Sequence, residues 1–363
     1  MNSPLTAPRP CFNVLFSLLA LVLLSVRVTA QSCNCRDEFQ YLQRYMEQNY
    51  AGFKDKATAG KRAAYDSTTA SVDHRAARTS KPLFCLALMR EWLNFFRDRH
   101  NTISQNAKVD PTNRGGEAIR LPRRPDLVAR QLSPQTLYIG IGSFDESNAA
   151  AIDSLFRADS VLLRTIPNLV LDLRGNGGGS DFAYQPLAPL LYTDPVHGIG
   201  VDVLATPDNV RTWSALLDDK YITGWTRYSI QNTITAMKGH LGQLIAVSPD
   251  RVATLRVVRP YPQRVAVLID GDCASTTEQF LLEAAQSSKV TLMGRHTAGI
   301  LDYSNVREEP FDCLPFTLHY ATTRSRRIDQ GKGIDNTGIQ PAIVLGDDVD
   351  WAEAAKKYLE ERH

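Results

Sequence analysis

The stretch Asn168-Leu-Val-Leu-Asp-Leu-Arg-Gly-Asn-Gly-Gly-Gly-Ser180 decides the fold class and gives the first indication of chemistry. An apolar run of this length bounded by glycine is typical of a buried strand in a parallel sheet. Consecutive glycines allow positive φ and the close approach of another chain segment. Their N–H groups can converge on an anion or a developing oxyanion, although the same residues also suit a plain tight turn.

A second strand-to-helix junction lies further along the chain. The pattern predicts a strand over Arg264 to Ile269 and a helix over Thr276 to Ser287, with Ser275 between them. A serine at such a junction is exposed above the sheet, beside unpaired N–H groups and the positive end of the helix dipole. Acyl transfer needs a hydroxyl placed in this way, next to a general base and oxyanion donors. The alternative interpretation is an ordinary N-cap, which serine supplies routinely.

Composition limits the class of protein. The 363 residues include 41 basic and 39 acidic side chains, a nearly balanced charge that gives no sign of a nucleic acid or polyanionic partner. The length predicts one large domain with a smaller attachment. From Thr136 onward, strands alternate with helices, which predicts an α/β fold with parallel crossover units.

The N-terminus predicts a cleaved secretory signal over residues 1–30, and therefore a secreted or periplasmic protein with no membrane span after cleavage. Arg9 precedes an apolar run that is too short for a comfortable membrane span, and Val28-Thr-Ala30 ends the run with small residues. Arg27 leaves an uncleaved anchor as the alternative. Cleavage would remove two of the 41 basic side chains and make the basic and acidic counts equal at 39.

Cysteine use agrees with export. Cleavage would leave Cys33, Cys35, Cys85, Cys273 and Cys313. Disulfides are permitted outside the cytoplasm, and the odd count leaves at least one thiol over. A bridge from Cys33 or Cys35 to Cys85 would tie down the N-terminal segment, but the sequence does not determine the pairing.

The chain divides into regions by pattern. We predict a helical N-terminal subdomain over residues 31–105, an α/β core over 106–347 and a closing helix over 348–363. Residues 194–250 interrupt the alternation and are predicted to be an insertion that could form a lid. Two local predictions within the core are a helix over Phe182 to Leu191 and a strand over Thr254 to Val258.

Three segments together resemble the tail-specific, or C-terminal processing, protease family of serine peptidases. They are Asp172-Leu-Arg-Gly-Asn-Gly-Gly-Gly179, Ala274-Ser-Thr-Thr-Glu278 and Gly294-Arg-His-Thr-Ala-Gly299. The resemblance implies a crotonase- and ClpP-like spiral core, Ser275 as nucleophile, a protein or peptide substrate, and neither metal nor cofactor. Leu301-Asp-Tyr-Ser-Asn305 looks like secreted members of the family from Bacteroidetes-type bacteria.

The residues expected to supply the general base differ from those of one branch of this family and resemble those of another. The processing-protease branch uses a lysine where this chain has Ile300, and no PDZ-like segment is found. Phe96-Arg-Asp-Arg-His100-Asn-Thr resembles the segment that delivers the catalytic histidine of the tricorn-like branch. Gly333-Ile-Asp335-Asn-Thr-Gly-Ile-Gln-Pro341 resembles its acidic segment, although Ala342 replaces the usual aspartate. The resemblance therefore implies Ser275, His100 and Asp335 as nucleophile, general base and orienting acid.

The oxyanion hole would combine the N–H of Thr276 with that of Gly178 or Gly179. Asp172, Arg174 and Glu278 are expected to be structural.

Four alternatives stay open. His296 could be the base instead of His100, and Cys273 could be mistaken for a nucleophile, although a thiol at a strand end is more often buried and inert. Ile300 and Ala342 motivate a degenerate peptidase-fold protein that binds peptides or small apolar ligands. A crotonase-like acyl-CoA enzyme is disfavoured by the export signal, since CoA is cytoplasmic.

Overall fold

The computed structural model describes residues 33–106 and 124–361, so the predicted signal over residues 1–30 lies outside the described residues. The α-helices are α1 Cys35–Asn49, α2 Phe53–Lys56, α3 Ala59–Ala76, α4 Pro82–Leu93, α5 Ala149–Ala158, α6 Ala188–Leu191, α7 Pro207–Ala215, α8 Gly224–Gly239, α9 Thr276–Ala284 and α10 Trp351–Glu361. The strands are β1 Thr102–Gln105, β2 Val128–Ser133, β3 Thr136–Gly140, β4 Asn168–Asp172, β5 Val196–Gly198, β6 Val201–Leu204, β7 Leu244–Ser248, β8 Arg251–Ala253, β9 Arg264–Ile269, β10 Val290–Gly294, β11 Tyr303–Pro310, β12 Phe316–Ser325 and β13 Ile343–Val344. No helix within these ranges is long and apolar enough to cross a membrane.

The central sheet has six strands in the order β13-β10-β9-β4-β3-β2. Neighbouring strands are parallel except at the edge, where β2 pairs antiparallel with β3. This sheet confirms the predicted α/β class with a parallel-rich core.

Strand β4 is completely buried because both faces of the sheet are covered. Leu169, Leu171 and Leu173 pack into the core on one face, whereas Val170 packs on the other face with Trp351 of α10. A strand covered on both sides needs apolar side chains at successive positions, which explains the unbroken run. Since β4 pairs in parallel with β9, the carboxyl ends of these two strands lie side by side. Ligands of open α/β sheets bind outside such carboxyl ends.

A second sheet is organised around β12. Strands β1, β6 and β11 all pair with β12, and β7 pairs with β6. The predicted insertion over residues 194–250 therefore contributes β6 and β7 to a sheet that it shares with the rest of the chain. Its role as a lid stays a prediction.

The N-terminal helices form a core with β11 and β12. This cluster includes Phe39, Trp92 and Phe96, whose rings meet edge to face. One disulfide joins Cys35 to Cys85, one of the pairings that the sequence left open, and a second joins Cys33 to Cys313. Within the described residues Cys273 is the free cysteine, and it is buried.

Two local predictions were wrong. The helix expected over residues 182–191 is an α-helix only over Ala188–Leu191, because Pro186 and Pro189 restrict the preceding turns. The strand expected over residues 254–258 is not formed. These residues are exposed and pair with no strand within the described chain, so their β propensity has no packed surface to satisfy.

Candidate active site

Ser275 lies in a sharp turn between β9 and α9, at the carboxyl edge of the central sheet. Its φ of 55° and ψ of −121° are rare for a residue with a side chain. Backbone strain of this kind concentrates at functional sites, and a strand-to-helix turn of this type exposes its central side chain above the sheet. The N–H of Ser275 donates to Ile300 O at 3.1 Å and to Glu278 Oε2 at 3.1 Å.

Glu278 holds the loop beside Ser275. Its buried carboxylate accepts from Thr297 Oγ1 at 2.5 Å, Gly299 N at 2.7 Å and Ile300 N at 2.8 Å, in addition to Ser275 N. Both oxygens are therefore saturated by donors from the nucleophile turn and the following loop. This is consistent with the expected structural role, and it extends that role beyond the first turn of α9.

The glycine turn after β4 lies directly against the Ser275 turn. Gly178 has a φ of +101°, and a Cβ placed on it would be 2.8 Å from Ala274 O and 2.9 Å from Thr276 N. Only glycine permits this approach. Asn176 joins the two turns, since its side chain accepts from Gly178 N at 3.0 Å and Thr277 Oγ1 at 2.8 Å. Sequence reasoning did not single out Asn176, although it lies inside the quoted motif.

The predicted oxyanion donors differ in their availability. Gly178 N donates to Asn176 Oδ1 and is therefore occupied. Among the described residues, no group accepts from Gly179 N or from Thr276 N, the first residue of α9. Thr276 Oγ1 donates to Gly179 O at 2.9 Å, which keeps these two residues adjacent.

Asp172 and Arg174 support the start of the glycine turn. The Arg174 guanidinium donates to both Asp172 oxygens, and Asp172 Oδ2 also accepts from Tyr138 OH at 2.9 Å. The carboxylate has no exposed surface. These contacts are consistent with the structural role expected for the pair.

His100 lies just before β1, with its ring half-buried. Its Nδ1 is 2.6 Å from Tyr303 O, and because a carbonyl oxygen can only accept, we infer that Nδ1 carries a proton. That tautomer leaves Nε2 as the ring nitrogen able to take up a proton. Asp98 Oδ1 accepts the backbone N–H of His100 at 2.9 Å and lies 3.8 Å from Nδ1.

Asp98 is a buried carboxylate that sequence reasoning did not select, although it precedes His100 in the quoted segment. Its Oδ2 accepts from Tyr50 OH at 2.8 Å and from Asn101 Nδ2 at 3.3 Å. Burial raises the pKa of Asp98, and the nearby His100 ring, Tyr50 hydroxyl and Lys56 ammonium each oppose this rise. Among the described residues, Asp98 is thus the carboxylate that lies within ion-pair distance of the His100 ring.

Asp335 is also buried, with its side chain 9% exposed. Its Oδ1 accepts from Leu301 N at 3.0 Å and Asp302 N at 2.9 Å. Burial raises the pKa of Asp335 to about 7, and the negative charges of Asp302 and Asp98 add to the effect. Within the described residues, no hydrogen bond or ion pair joins Asp335 to His100.

The three predicted catalytic residues meet at one short segment, Ile300 to Tyr303. Ser275 donates its N–H to Ile300 O, Asp335 accepts the N–H groups of Leu301 and Asp302, and His100 contacts Tyr303 O. No hydrogen bond joins Ser275 Oγ to the His100 ring among the described residues. Catalytic hydrogen bonds are often long in an empty site and tighten on substrate binding. The roles of these residues stay predictions.

The competing candidates have different surroundings. The His296 residue is exposed, and its Nδ1 contacts Thr297 O at 2.9 Å. The Cys273 thiol is buried and donates to Leu173 O at 3.1 Å, and burial raises its pKa well above the usual value. A thiol in this state is inert rather than nucleophilic.

Solved structures of similar fold cover almost all of this chain. They include mature CPAF, with 13% identity and a TM-score of 0.61, covering 90% of this chain and 96% of that chain. A putative peptidase from Parabacteroides merdae has 17% identity and a TM-score of 0.53, covering 90% of this chain and 97% of that chain. A lipoprotein from Streptococcus agalactiae is also similar, with 15% identity and a TM-score of 0.51, covering 93% of this chain and 100% of that chain. At these identities the likeness concerns the fold alone. Comparison with curated protein sequences finds no match.

The sequence also matches a family model. The model described as peptidase family S41 covers residues 135–345, a range that contains the glycine turn, Ser275 and Asp335. His100 and Lys56 lie before this range. The match covers more than half of the chain and confirms the resemblance to the tail-specific serine peptidases. The chain therefore belongs to peptidase family S41 and is a serine-type peptidase.

Proposed function

We propose that this chain is an exported serine endopeptidase that cleaves protein or peptide substrates through an acyl-enzyme on Ser275. The observation that carries the proposal is the packing of the strained Ser275 turn against the glycine turn. This packing leaves the N–H groups of Thr276 and Gly179 available beside the nucleophile. Two backbone donors next to a half-buried serine at the edge of the sheet are what acyl transfer requires of an oxyanion hole.

The proposed reaction uses these positions as follows. His100 Nε2 takes the proton from Ser275 Oγ as Oγ bonds to the substrate carbonyl carbon, and the carbonyl oxygen accepts from Thr276 N and Gly179 N. The C–N bond then breaks, and the amine leaves with the proton that His100 returns. Water, activated by the same histidine, hydrolyses the ester and frees Ser275. No step calls for a metal or cofactor.

Two carboxylates are available to stabilise the His100 imidazolium. We retain Asp335 as the orienting acid, on the resemblance of its segment to the tricorn-like branch. Asp98 supports the same step from a closer position, because its Oδ1 lies 3.8 Å from Nδ1. An opposite charge at this distance favours the protonated ring. The two carboxylates are near enough for the charge of Asp98 to raise the pKa of Asp335.

Export is supported by the predicted signal over residues 1–30 and by the two disulfides. Stable disulfides are rare in cytosolic proteins and common in secreted and periplasmic ones. A protein or peptide substrate follows from the family.

The test of this function is a set of three variants assayed on fluorescein-labelled casein and with a fluorophosphonate probe. We expect Ser275→Ala to lose both casein cleavage and labelling, and His100→Ala to lose cleavage by at least about 100-fold, as general-base removal does. His296→Ala serves as the matched control and should retain activity. Full cleavage by Ser275→Ala would refute the proposal, and loss in His296→Ala with retention in His100→Ala would reassign the base.

A second candidate is a degenerate peptidase-fold protein that binds peptides or small apolar ligands. The missing hydrogen bond between Ser275 Oγ and the His100 ring favours it. Tight peptide binding without any fluorophosphonate labelling of the folded protein would support this candidate, whereas labelling confined to Ser275 would exclude it.

A further inference from the structure

Helix α2 brings a cation to the residues around His100. Lys56, its last residue, has its Nζ 3.8 Å from Asp335 Oδ2 and 4.8 Å from the centre of the Tyr303 ring. The Lys56 side chain is only 15% exposed. Lys56 therefore contacts both the Asp335 carboxylate and Tyr303, whose carbonyl oxygen accepts a hydrogen bond from His100 Nδ1. No pattern in the sequence marked Lys56, which lies in a polar helical segment.

Two other carboxylates and two cations, one of them Lys56, lie near Asp335. The carboxylates of Asp98 and Asp302 face it, and so do the Arg327 guanidinium and the Tyr303 hydroxyl. Arg327 pairs with Asp302, with Nη1 3.6 Å from Oδ1. Among the described residues Asp98 has no lysine or arginine within ion-pair distance, and its ionisable partners there are His100 and the Tyr50 hydroxyl. Lys56 is thus a cation that pairs with Asp335 and whose charge also acts on Asp98, the carboxylate near the His100 ring.

We propose that Lys56 is a positioning residue that keeps Asp335 ionised beside His100 and so assists proton uptake by the imidazole. A protonated carboxyl cannot stabilise an imidazolium, whereas a carboxylate paired with an ammonium remains charged at lower pH. The contact of Lys56 with the Tyr303 ring adds a cation–π interaction. This interaction helps to fix the start of β11, where Tyr303 O contacts His100 Nδ1. The proposal rests on the proposed role of His100 as general base.

Lys56 differs from a lysine that serves as the base itself. Its ammonium is directed at Asp335 and Tyr303, and within the described residues it makes no hydrogen bond to Ser275. It acts on the histidine through other groups, so its removal should change the pH dependence of nucleophile activation rather than abolish activation.

The experiment measures the rate of Ser275 labelling by a fluorophosphonate as a function of pH for Lys56→Met, Lys56→Arg and the native chain. We expect Lys56→Met to move the rising limb to higher pH by about one unit, because a charge partner near 4 Å is lost, and to reach the native plateau. Lys56→Arg should follow the native profile. Lys54→Met changes an exposed lysine on the same helix and is the matched control. Superimposable native and Lys56→Met profiles would overturn the proposal, and loss of labelling at every pH in Lys56→Met alone would make Lys56 the base.

A second measurement does not depend on activity. The ion pair exists only where Asp335 is ionised, so Lys56→Met should lower the melting temperature more at pH 9 than at pH 5. This difference should vanish when Asp335→Asn is also present, since the partner charge is then absent. If the native chain is not labelled at any pH, the proposed function fails, and the melting temperatures still decide whether Lys56 keeps Asp335 ionised. An equal effect of Lys56→Met at both pH values and in both backgrounds would refute that role.

Discussion

At the scale of single residues, burial and ionisation oppose each other at Asp335. Two backbone N–H groups favour the carboxylate, but burial and neighbouring negative charges raise the pKa to about 7. A group whose pKa is higher in the folded than in the unfolded state binds its proton more tightly when folded. Its contribution to stability is therefore present below the unfolded pKa and is lost as the pH rises through about 7.

The variant Asp335→Asn should remove this pH dependence. The asparagine Oδ1 can still accept the N–H groups of Leu301 and Asp302, so the main structural change is the loss of the titrating charge. We expect the free energy of unfolding of the variant to rise relative to the native chain by roughly 3–4 kcal/mol between pH 4 and pH 8. Urea unfolding at several pH values measures this difference. A difference that does not change with pH would contradict the raised pKa.

The glycines of the turn should differ sharply in their tolerance of a side chain. A Cβ on Gly178 would lie 2.8 Å from Ala274 O at a φ of +101°, so Gly178→Ala must displace the Ser275 turn. We expect it to lose most fluorophosphonate labelling and about 1–3 kcal/mol of stability. Gly177→Ala is the control, because its Cβ would meet only Arg124 Nη2, at 3.8 Å. Similar labelling rates in the two variants would show that the close approach of the two turns does not matter.

At the scale of elements, the β9–α9 junction depends on Glu278 as much as on the strain at Ser275. The Glu278 carboxylate accepts from Ser275 N, immediately before α9, and from the loop that ends at Ile300. A helix N-terminus favours a negative charge, so Glu278 is stabilised where it lies. The junction and the loop consequently form one hydrogen-bonded unit, and the loop continues into the segment that holds His100 and Asp335.

Glu278→Gln should disrupt this unit. The glutamine NH2 group would face N–H donors of the loop, leaving buried donors without an acceptor. We expect a loss of about 2–4 kcal/mol in the free energy of unfolding, together with slower fluorophosphonate labelling. Glu283→Gln on the same helix is the control, since Glu283 pairs with the exposed Arg251 and such pairs contribute at most about 1 kcal/mol. Equal losses in the two variants would contradict the role given to Glu278.

At the scale of the whole described chain, the N-terminal helices contribute residues near the proposed site. They supply Lys56 and lead into His100, and they share a core with β11 and β12. The Cys35–Cys85 bridge joins residues 50 positions apart within them. Positioning of the site therefore depends on how firmly these helices are held.

Replacing Cys35 and Cys85 by serine should destabilise the protein. Loop-closure entropy for a separation of 50 residues predicts a loss of about 3–4 kcal/mol in the free energy of unfolding. Chemical unfolding of the variant and the native chain measures this loss. Cys273→Ala, which removes the buried free thiol instead, should leave the response to reducing agent unchanged. A native chain whose stability is insensitive to reducing agent would contradict the prediction.

The sequence by itself determined the α/β class, the buried strand β4, the family and the junction at which Ser275 lies. These features depend on local patterns, because an apolar run bounded by glycine indicates a buried strand and the residues of each motif are contiguous in the chain. It also included Cys35–Cys85 among the open pairings. The sequence pattern was wrong about the helix over residues 182–191, which the prolines shorten. It was also wrong about the strand over residues 254–258, which has no partner strand within the described chain.

Only the tertiary structure decided which groups surround His100. Asp98 is only two residues before His100, but Lys56, Tyr303 and Asp335 come from separate parts of the chain, and the charges of Asp98, Lys56 and Asp335 act on one another only because folding places these residues near the Ile300–Tyr303 segment. Likewise, Gly178 N donates to Asn176 Oδ1 whereas Gly179 N has no acceptor among the described residues, because the direction of an amide depends on backbone torsions and on the Asn176 side chain. Electrostatic neighbours and N–H directions are properties of three-dimensional packing, and no local pattern encodes them.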